Sequence, residues 1–589
     1  MALKERKEVQ EQFTWNLTDI YMNKEAFEED FAAATERVKK VQKLEEHFTD
    51  NEKTLKEALD FYYETALLVE RLYIYAMLQK SQDNGNSQHQ TTEGRAISLY
   101  VSFSSASSFV EPKLLASGKL DEFIDSEILK PYKRVLSEIK RGGLHTLSQR
   151  EEQILSDLSE AASTPKNAFE MLESVDMEFP NINTENGEIQ ISHAQYGVLI
   201  KSPDRRVRKE VFEKYFGEFN KYINTFAATY SGSVKFDAFY AKTRRFENSL
   251  SASLFSGNVP NKVYESLISS VRKALPLMEK YTSLRKKALN IDDLEVYDLY
   301  SPMVEKVDMN LNFSESKELV INALKPLGDR YISILERAFD ERWIDIYENK
   351  GKTTGAYSCG LYGVHPYVLL NYTNTLDDAF TVAHELGHSL HSYFSDETQT
   401  FQDSDYKIMA AEVASTVNEV LLTLYLLKVE TDKKKRAYIL NHFLESFRTT
   451  VFRQTLFAEF EKRAHELYEN GTPLTAEVLC ELYKSLNEEY YKGVNIPELY
   501  GIEWARIPHF YNSFYVYQYA TGFSAAVAIA KHIFETGDNK GYLEFLKTGG
   551  SDYPIEELKL AGVNLESEET VDNAMKLFEK TISELEAML

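Results

Sequence analysis

The sequence is poor in cysteine, proline, glycine and positive charge, and each shortage excludes a class of protein. Its two cysteines, Cys359 and Cys480, are too few for a disulfide framework and too far apart for a CxxC metal pair. Lys and Arg number 67 against 92 Asp and Glu, a formal charge of −25, which argues against a nucleic-acid-binding protein because phosphate contacts need cations. With 14 prolines and 25 glycines in 589 residues, the composition favours long helices over many short strands.

No apolar run in the sequence is long enough for a membrane span. A span needs about 20 residues, whereas the longest strongly apolar run lies around Val420 to Leu427 and is interrupted by Thr423. The first residues are charged and lack the apolar stretch of a secretory signal. We therefore expect a cytoplasmic protein with neither a membrane nor a nucleic acid as its partner.

Hydrophobic periodicity predicts a mostly α-helical chain. From about Lys24 to Leu172 apolar residues recur at intervals of three and four, with a polar loop near residues 81–94. Residues 179–191 carry an Asn-Gly pair between short alternating runs and predict a β-hairpin. We place a boundary near residue 200, which gives a mainly helical N-terminal domain over 1–200 and a second domain over 201–589.

A glycine-rich stretch precedes the one strand predicted in the second domain. Residues 351–363 contain four glycines, and HPYVLLNYT at 365–373 predicts a strand. The edge of this strand, with His365 and Tyr367, is a candidate surface on which an extended peptide adds as a further strand, and the stretch around Gly360 could flex over that peptide. An ordinary structural strand is the alternative.

The helical pattern that begins at Thr375 carries the motif from which the chemistry follows. Thr375 and Asp378 predict a capping box, and the helix then contains His384-Glu385-Leu386-Gly387-His388. Histidines four residues apart lie on one face of a helix and can reach one cation, whereas the glutamate beside the first is turned about 100° away. It can stand next to a metal-bound water without being a ligand, which is the geometry of a metalloprotease helix.

Two histidines leave a zinc ion short of its third protein ligand. A second helical pattern, residues 410–419, places Glu412, Ser415 and Glu419 on one face ahead of an apolar run. A carboxylate next to a buried run is costly unless it is paired or bound to a metal. The residues alone favour Glu412 as the third ligand and leave Glu419 and Glu397 as alternatives.

A second candidate cluster is aromatic: six of the ten residues 510–519 are Phe or Tyr. Tyr511, Tyr515 and Tyr519 lie four apart, hence on one face of a helix, and His509 precedes them. Tyrosine or histidine donors can stabilise the oxyanion that forms during amide hydrolysis. An aromatic stripe packed in the core is the alternative.

The sequence HELGHSLHSYF at 384–394, with the Glu of EVASTVNE 24 residues after His388, resembles the thimet oligopeptidase (M3) family of zinc metallopeptidases, and in particular its oligoendopeptidase F branch. WNLTDIY near the start, GAYSCG at 355–360 and HPYVLLNYT agree with it, so the similarity covers nearly the whole chain. The resemblance implies a multi-helix zincin-type (gluzincin) fold with a small β-sheet near the active site, an interior substrate channel, and a catalytic domain over 201–589.

The resemblance also implies roles for individual residues. Three residues would bind one Zn²⁺ per chain: His384, His388 and Glu412. Glu385 would be the general base, and three neighbours would support the ligands without binding the metal: His391, Ser415 and Glu419. His509, Tyr515 and Tyr519 match a histidine and tyrosines that contact substrate and stabilise the intermediate in that family. A further family tyrosine falls at Gly522 here, so the residue that holds the oxyanion stays open. The candidate substrate contacts are His365, Tyr367, Tyr511 and Gly360.

We therefore expect a zinc-dependent endopeptidase that cleaves internal bonds of short oligopeptides as a monomer. A zinc aminopeptidase is one alternative, although the sequence has no Gly-x-Met-Glu-Asn-like segment that would hold a free N-terminus. A non-catalytic, helical peptide-binding protein is the other alternative, and it would not depend on Glu385.

Overall fold

The computed structural model describes residues 3–185, 187–304, 307 and 309–589, and most of them are α-helical, as predicted. The chain forms two compact units, each assembled from three stretches. The first unit consists of Met1–Leu144, Met309–Tyr425 and Ile529–Gly562, and the second of His145–Asp308, Leu426–Ala528 and Val563–Leu589. The domain boundary near residue 200 stays a prediction.

Long and short helices make up both units. The α-helices that lie in or begin in the first unit are Lys24–Val41, Glu52–Gln82, Ser87–Ser107, Val110–Ala116, Leu120–Asp125, Lys133–Gly143, Phe313–Leu324, Asp329–Asp340, Leu376–Thr398, Phe401–Ser404, Ile408–Val429, Lys540–Leu546 and Pro554–Leu560. Those that lie in or begin in the second unit are Gln149–Ala162, Thr164–Met171, His193–Leu199, Arg205–Lys221, Ile223–Thr243, Ser249–Phe255, Asn261–Lys273, Leu275–Ala288, Lys433–Ser446, Arg453–Glu469, Ala476–Tyr490, Tyr517–Thr536 and Glu569–Glu586.

The polar loop predicted near residues 81–94 is much shorter than expected. One helix ends at Gln82 and the next begins at Ser87, with the Asn86 side chain accepting hydrogen bonds from the Gln88 and His89 backbone N–H groups as its N-cap. The polar residues after Ser87 are therefore the exposed start of a helix. Their polarity reflects exposure to solvent and not a break in the helix.

The predicted β-hairpin is present in the second unit. Asn181–Thr184 pairs in antiparallel fashion with Gly187–Gln190, and Thr184 stands opposite Gly187. Asn186, the first residue of the Asn-Gly pair on which the prediction rests, lies outside the described residues.

A three-stranded sheet in the first unit contains the strand predicted at 365–373, in a shorter form. Tyr367–Leu369 is the central strand, parallel to Ile344–Asp345 on one side and antiparallel to Tyr357–Cys359 on the other. Tyr367 and Leu369 belong to the same hydrophobic core cluster as Trp15 and Tyr75 of the N-terminal segment. The sheet is thus anchored on the N-terminal helices.

Helix Ile408–Val429 is, within the part of the chain that the structure describes, the one helix long and apolar enough to cross a membrane by length and composition. However, 67% of its apolar stretch is buried inside the protein. The core helix of a folded domain has the same composition, so burial explains the apolar run predicted around Val420 to Leu427.

A buried ion pair fixes the turn that leads into strand Tyr357–Cys359. Lys352 Nζ lies 2.7 Å from Asp345 Oδ1, neither side chain has solvent exposure, and Arg6 contacts the other carboxylate oxygen at 2.5 Å. Replacing Lys352 with Met leaves a buried carboxylate with one partner. We expect Lys352→Met to lower the free energy of unfolding by about 3–5 kcal/mol, measured by urea denaturation.

The neighbouring Lys350 provides the matched control for this prediction. Its ion pair with Glu5 is more than half exposed on both sides, so Lys350→Met is expected to change the free energy of unfolding by less than about 1 kcal/mol. Equal effects of the two substitutions on the free energy of unfolding would show that burial of the Lys352–Asp345 pair does not increase its contribution to stability.

Candidate active site

The predicted metal-binding helix spans Leu376–Thr398, and its N-terminus has the predicted capping box. Asp378 N–H donates to Thr375 Oγ1 at 3.1 Å, and Thr375 N–H donates to the Asp378 carboxylate at 2.8 Å. This reciprocal cap begins the helix at a fixed residue. It thereby sets which face the two histidines present.

His384, His388 and Glu412 lie together in the first unit. The Nε2 atoms of the two imidazoles are 3.1 Å apart, His384 Nε2 is 3.9 Å from Glu412 Oε2, and one ligand atom from each residue falls within 4.8 Å of the others. Two nitrogens each about 2.0–2.1 Å from one tetrahedral zinc would be roughly 3.3 Å apart. Two imidazoles and one carboxylate are also a catalytic zinc donor set. The residues therefore fit a zinc ion.

Glu419 contacts the back of His384. Its Oε1 lies 2.5 Å from His384 Nδ1. In the neutral imidazole that a metal ligand requires, this contact places the proton on Nδ1 and leaves the lone pair of Nε2 towards the cluster. Burial opposes a charged imidazole, but the hydrogen bond and charge of Glu419, with the nearby carboxylates, outweigh burial and raise the pKa of His384 to about 9. Burial, together with the charge of His384, lowers the pKa of His388 to about 3.

Gly387 permits the close crossing that brings Glu412 and Glu419 to the histidines. A Cβ at this position would lie 2.6 Å from Ser415 Cα and 2.9 Å from the Ala414 carbonyl oxygen. Ser415 is fully buried at this crossing, with its hydroxyl on the Glu412 carbonyl oxygen at 3.1 Å. Any side chain at 387 must therefore separate helices Leu376–Thr398 and Ile408–Val429.

Gly387→Ala is accordingly expected to weaken metal binding. Overpacking of this kind costs about 1–3 kcal/mol, and separation of the helices moves Glu412 away from His384, so the zinc dissociation constant should rise at least about ten-fold in competition with a chromogenic chelator. Gly94→Ala is the control, because that helical glycine has nothing within 4 Å of its Cβ position. An unchanged zinc affinity in Gly387→Ala would contradict the role assigned to the crossing.

Glu385 is buried beside the cluster. Burial raises the pKa of its carboxyl to about 7, with help from the negative charges of Glu412 and Glu419, while the charge of His384 and a backbone hydrogen bond from Ser358 act in the opposite direction. Ser358 belongs to strand Tyr357–Cys359. The structure therefore holds this carboxyl at a pKa at which it can both take up and release a proton near neutrality.

The remaining alternative for a metal ligand, Glu397, lies elsewhere on the same helix. Its carboxylate pairs with Arg330 at 2.5 Å, and both side chains are about half exposed. Glu397 is therefore a surface residue and is not part of the cluster.

A cavity of 720 Å³ in the first unit opens beside the histidines. His388 and Glu412 line it, together with Ser358, Gly360 and Tyr406. A Cβ at Gly360 would lie 2.9 Å from Ser392 Oγ, so a side chain at this position would have to displace Ser392 of the histidine helix. The predicted residue Gly360 thus borders the cavity.

The predicted peptide-binding edge of the strand at 365–373 is wrong, because that strand is central and pairs on both sides. Ile344–Asp345 and Tyr357–Cys359 are the outer strands, each with one neighbour in the sheet among the described residues. Of the two, Tyr357–Cys359 contacts the histidine helix, with Ser358 Oγ 2.8 Å from Ser389 Oγ. Apolar residues alone could not reveal this order. A surface for an added peptide strand therefore exists in the sheet, but one strand away from the predicted position.

His365 and Tyr367 are also not supported as substrate contacts. Tyr367 is fully buried and donates its hydroxyl to the Asn16 carbonyl oxygen at 3.1 Å. His365 stacks on Trp343 with ring centroids 4.7 Å apart and contacts Asp19 at 3.0 Å. Both side chains bind the N-terminal segment to the sheet.

The aromatic segment of the second unit divides into two parts. Residues Pro508–Tyr511 form a 3₁₀ turn, and the α-helix begins only at Tyr517, so the predicted single helical face is wrong. Tyr511 stacks on Phe169 at 4.5 Å and shares a hydrogen bond with Thr229 at 2.7 Å, which makes it a packing residue.

The structure does bring His509, Tyr515 and Tyr519 together. The His509 ring lies 6.3 Å from Tyr515 and 6.0 Å from Tyr519, and the two tyrosine rings are 5.5 Å apart. His509 is exposed and both tyrosines are partly exposed. These three residues form a cluster of donors that a ligand can reach.

Tyr406 is a site residue that the sequence analysis missed. Its ring stacks on His391 at 3.7 Å, and its hydroxyl contacts Ser392 Oγ at 2.7 Å and the His388 carbonyl oxygen at 3.3 Å. His391 is fully buried, and neither ring nitrogen has a hydrogen-bond partner among the described residues. No local motif surrounds Tyr406, so no pattern could have indicated it.

Cys359 is consistent with its predicted inertness. Burial raises the pKa of this thiol to about 12, so it carries no thiolate near neutral pH.

With the geometry established, comparison with known proteins defines the class. The model of Peptidase family M3 matches residues 198–577, and the model described as Oligopeptidase F matches residues 114–179. The chain is therefore a metallopeptidase, a hydrolase that acts on oligopeptides. Its His-His-Glu cluster could bind a metal ion.

The chain belongs to peptidase family M3, in its oligoendopeptidase F branch, as the resemblance implied. It is 42% identical to Oligopeptidase PepF of Bacillus subtilis, over 100% of this chain and 89% of that one, and 39% identical to an Oligoendopeptidase F homolog of Lactococcus lactis, over 100% and 99%. The crystal structure of oligoendopeptidase-F from Enterococcus faecium superposes with a TM-score of 0.73 at 36% identity, covering 95% of this chain and 98% of that one.

Proposed function

We propose that this chain is a zinc-dependent endopeptidase that hydrolyses internal peptide bonds of short oligopeptides. The observation that carries the proposal is the His384, His388 and Glu412 cluster with Glu385 buried beside it. Monomeric state and cytoplasmic location stay predictions from the sequence.

His384, His388 and Glu412 would hold the zinc ion, one per chain. Bound there, zinc supplies Lewis acidity, which acidifies a water molecule and polarises the scissile carbonyl. Glu419 would keep His384 in the tautomer that offers Nε2, since it already accepts the proton of Nδ1. His391 and Ser415 would support the site by packing, because both are fully buried.

Glu385 would act as the general base. Its carboxylate accepts a proton from the attacking water, and the resulting carboxylic acid then donates a proton to the leaving amine. A pKa raised towards neutrality suits both steps, because a base that is too weak cannot take the proton and one that is too strong cannot return it. Burial and nearby carboxylates supply that shift.

The peptide would lie along the free edge of strand Tyr357–Cys359. Recognition along a strand edge uses hydrogen bonds to the peptide backbone and depends little on most of its side chains. This suits an enzyme that acts on many sequences. Gly360 and the cavity beside His388 follow directly at the end of this strand. They would accommodate a substrate side chain next to the cleaved bond.

His509, Tyr515 and Tyr519 would donate hydrogen bonds to the oxyanion. Support comes from their grouping into one accessible cluster and from the family pattern that they match. Tyr511 is omitted from this role because its hydroxyl is engaged by Thr229.

A peptide blocked at both ends and carrying an internal quenched fluorophore tests the proposal. Cleavage inside the peptide, its loss with a chelator and its recovery with Zn²⁺ are expected. An aminopeptidase would require a free N-terminus and leave this peptide intact, and a binding protein would bind it without cleaving it. Either result would refute the proposed function.

A further inference from the structure

A strained residue lies at the centre of the aromatic segment. Six non-glycine residues of the described chain have a positive φ, and five of them are asparagines or arginines. The sixth is Phe514, with φ of 59°. A bulky side chain rarely adopts the left-handed region, and strain of this kind persists only where the surroundings impose it.

The carboxyl of Glu461 binds the backbone of the strained residue. Glu461 lies on helix Arg453–Glu469 with no solvent exposure, and its Oε1 accepts a hydrogen bond from the Phe514 N–H at 3.0 Å. The Phe514 ring is buried against His465 at 4.5 Å and Tyr264 at 5.9 Å. The strained residue is therefore held through both its backbone and its side chain.

The adjacent residue is clamped as well. Ser513 Oγ donates to Asp237 at 2.6 Å, and its carbonyl oxygen accepts from Ser253 Oγ at 3.1 Å. Asp237 in turn contacts His465 Nε2 at 3.2 Å. Hydrogen bonds thus fix residues 513 and 514 to three helices of the second unit, and these two residues form a turn immediately before Tyr515.

The hydrogen bond to Phe514 is the one stabilising side-chain contact of Glu461 among the described residues. Glu461 forms no ion pair among the described residues, and its second oxygen and the nearby Tyr230 hydroxyl both lack hydrogen-bond partners there. Burial and the negative charge of Asp237 raise the pKa of Glu461 well above its usual range, against the effect of the hydrogen bond from the Phe514 backbone. A buried acid that serves one backbone N–H is costly for stability alone.

We infer that Glu461 is a positioning residue: its hydrogen bond to Phe514 sets the left-handed turn that groups Tyr515 and Tyr519 with His509. The inference rests on the proposed function, in which this cluster donates to the oxyanion. Without the bond, residue 514 relaxes out of the left-handed region and Tyr515 moves away from His509.

Two substitutions at one position separate this role from general packing. Glu461→Met removes the acceptor with little change in volume, whereas Glu461→Gln keeps an oxygen that can accept from the Phe514 N–H. Thr455→Val is the control: it alters a fully buried residue of the same helix whose hydroxyl has no hydrogen-bond partner among the described residues.

On a blocked, internally quenched peptide, Glu461→Met should lower kcat about ten-fold or more, because removal of oxyanion donors costs about 10²–10³ when complete. KM and zinc content should stay close to wild type, since loss of an interaction made only in the transition state lowers kcat without raising KM. Glu461→Gln should recover most of the activity, and Thr455→Val should match wild type. Wild-type kcat in Glu461→Met, or equal losses in Met and Gln, would overturn the inference.

Hydrogen exchange separates failure of this inference from failure of the proposed function. Tyr515→Phe and His509→Ala with unchanged kcat would refute the oxyanion role, yet the peptide covering residues 509–519 should still exchange faster in Glu461→Met than in Glu461→Gln. Equal exchange in the two variants refutes positioning by Glu461. If Glu461→Met does not fold, the hydrogen-exchange rate of the Phe514 amide in the wild-type protein is measured instead. Exchange as fast as that of an exposed loop would show that the amide is not held by Glu461 and would overturn the inference.

Discussion

Glu385→Gln is expected to lower kcat by about 10²–10⁴-fold while the protein keeps its zinc and its fold. Glutamine has the same size and suits a buried position, but its amide cannot accept the proton of the attacking water. Glu385 is not a member of the His-His-Glu cluster, so zinc content should remain one per chain. Steady-state cleavage of a quenched peptide, with metal analysis and thermal denaturation on the same sample, measures all three quantities.

Glu397→Gln is the matched control for this substitution. It makes the same chemical change on the same helix, at a surface residue paired with Arg330, and should leave kcat within about two-fold of wild type, as surface changes usually do. Full activity in zinc-loaded Glu385→Gln would eliminate Glu385 as the base and revive the peptide-binding alternative.

Glu412→Ala and Glu419→Ala are expected to affect the metal to very different extents. Glu412 lies within ligand distance of both histidines, so its removal leaves two ligands and should abolish zinc retention during gel filtration. Glu419 only accepts the His384 Nδ1 proton, and loss of such an outer partner costs about 10–100-fold in metal affinity or activity. Glu419→Ala should therefore keep zinc at millimolar supply and lose it on dilution.

Zinc titration of both variants checks this order, with calorimetry to give the dissociation constants. The opposite order, with zinc retained in Glu412→Ala and lost in Glu419→Ala, would exchange the two roles. Equal behaviour would mean that both carboxylates bind the ion.

The spacing of His384 and His388 predicted the metal helix because a single helix fixes the distance between its own residues. The distance to Glu412 is different, since it depends on how two helices cross. A sequence reader could see that Gly387 is small, but not that Ser415 packs directly on it. Helical periodicity therefore favoured Glu412 but left Glu419 and Glu397 open, and the family resemblance raised Glu412 well above Glu419.

The errors have a common physical cause. Tyr367 and Tyr511 are of a residue type that often contacts ligands. The hydroxyl of each, however, forms a hydrogen bond with a residue distant in sequence within its own unit. Whether a strand is central or at the edge likewise depends on its neighbours in space. The left-handed backbone at Phe514 carries no sequence signal, because phenylalanine is an unusual residue for it. The predicted helical face therefore extended across residues 513 and 514, where the structure has a turn.

The Ser358 backbone lowers the pKa of Glu385 against the effect of burial, and this affects how the enzyme tolerates substitution at position 358. A main-chain donor is present whatever side chain stands at 358, so alanine scanning would pass over it and natural drift at that position would leave it intact. Proline is the one common residue that removes the N–H. Replacing that amide with an ester by chemical ligation would delete the contact while sparing the serine side chain. Part of what sets the pKa of Glu385 therefore comes from the main chain, and a comparison of side chains does not detect it.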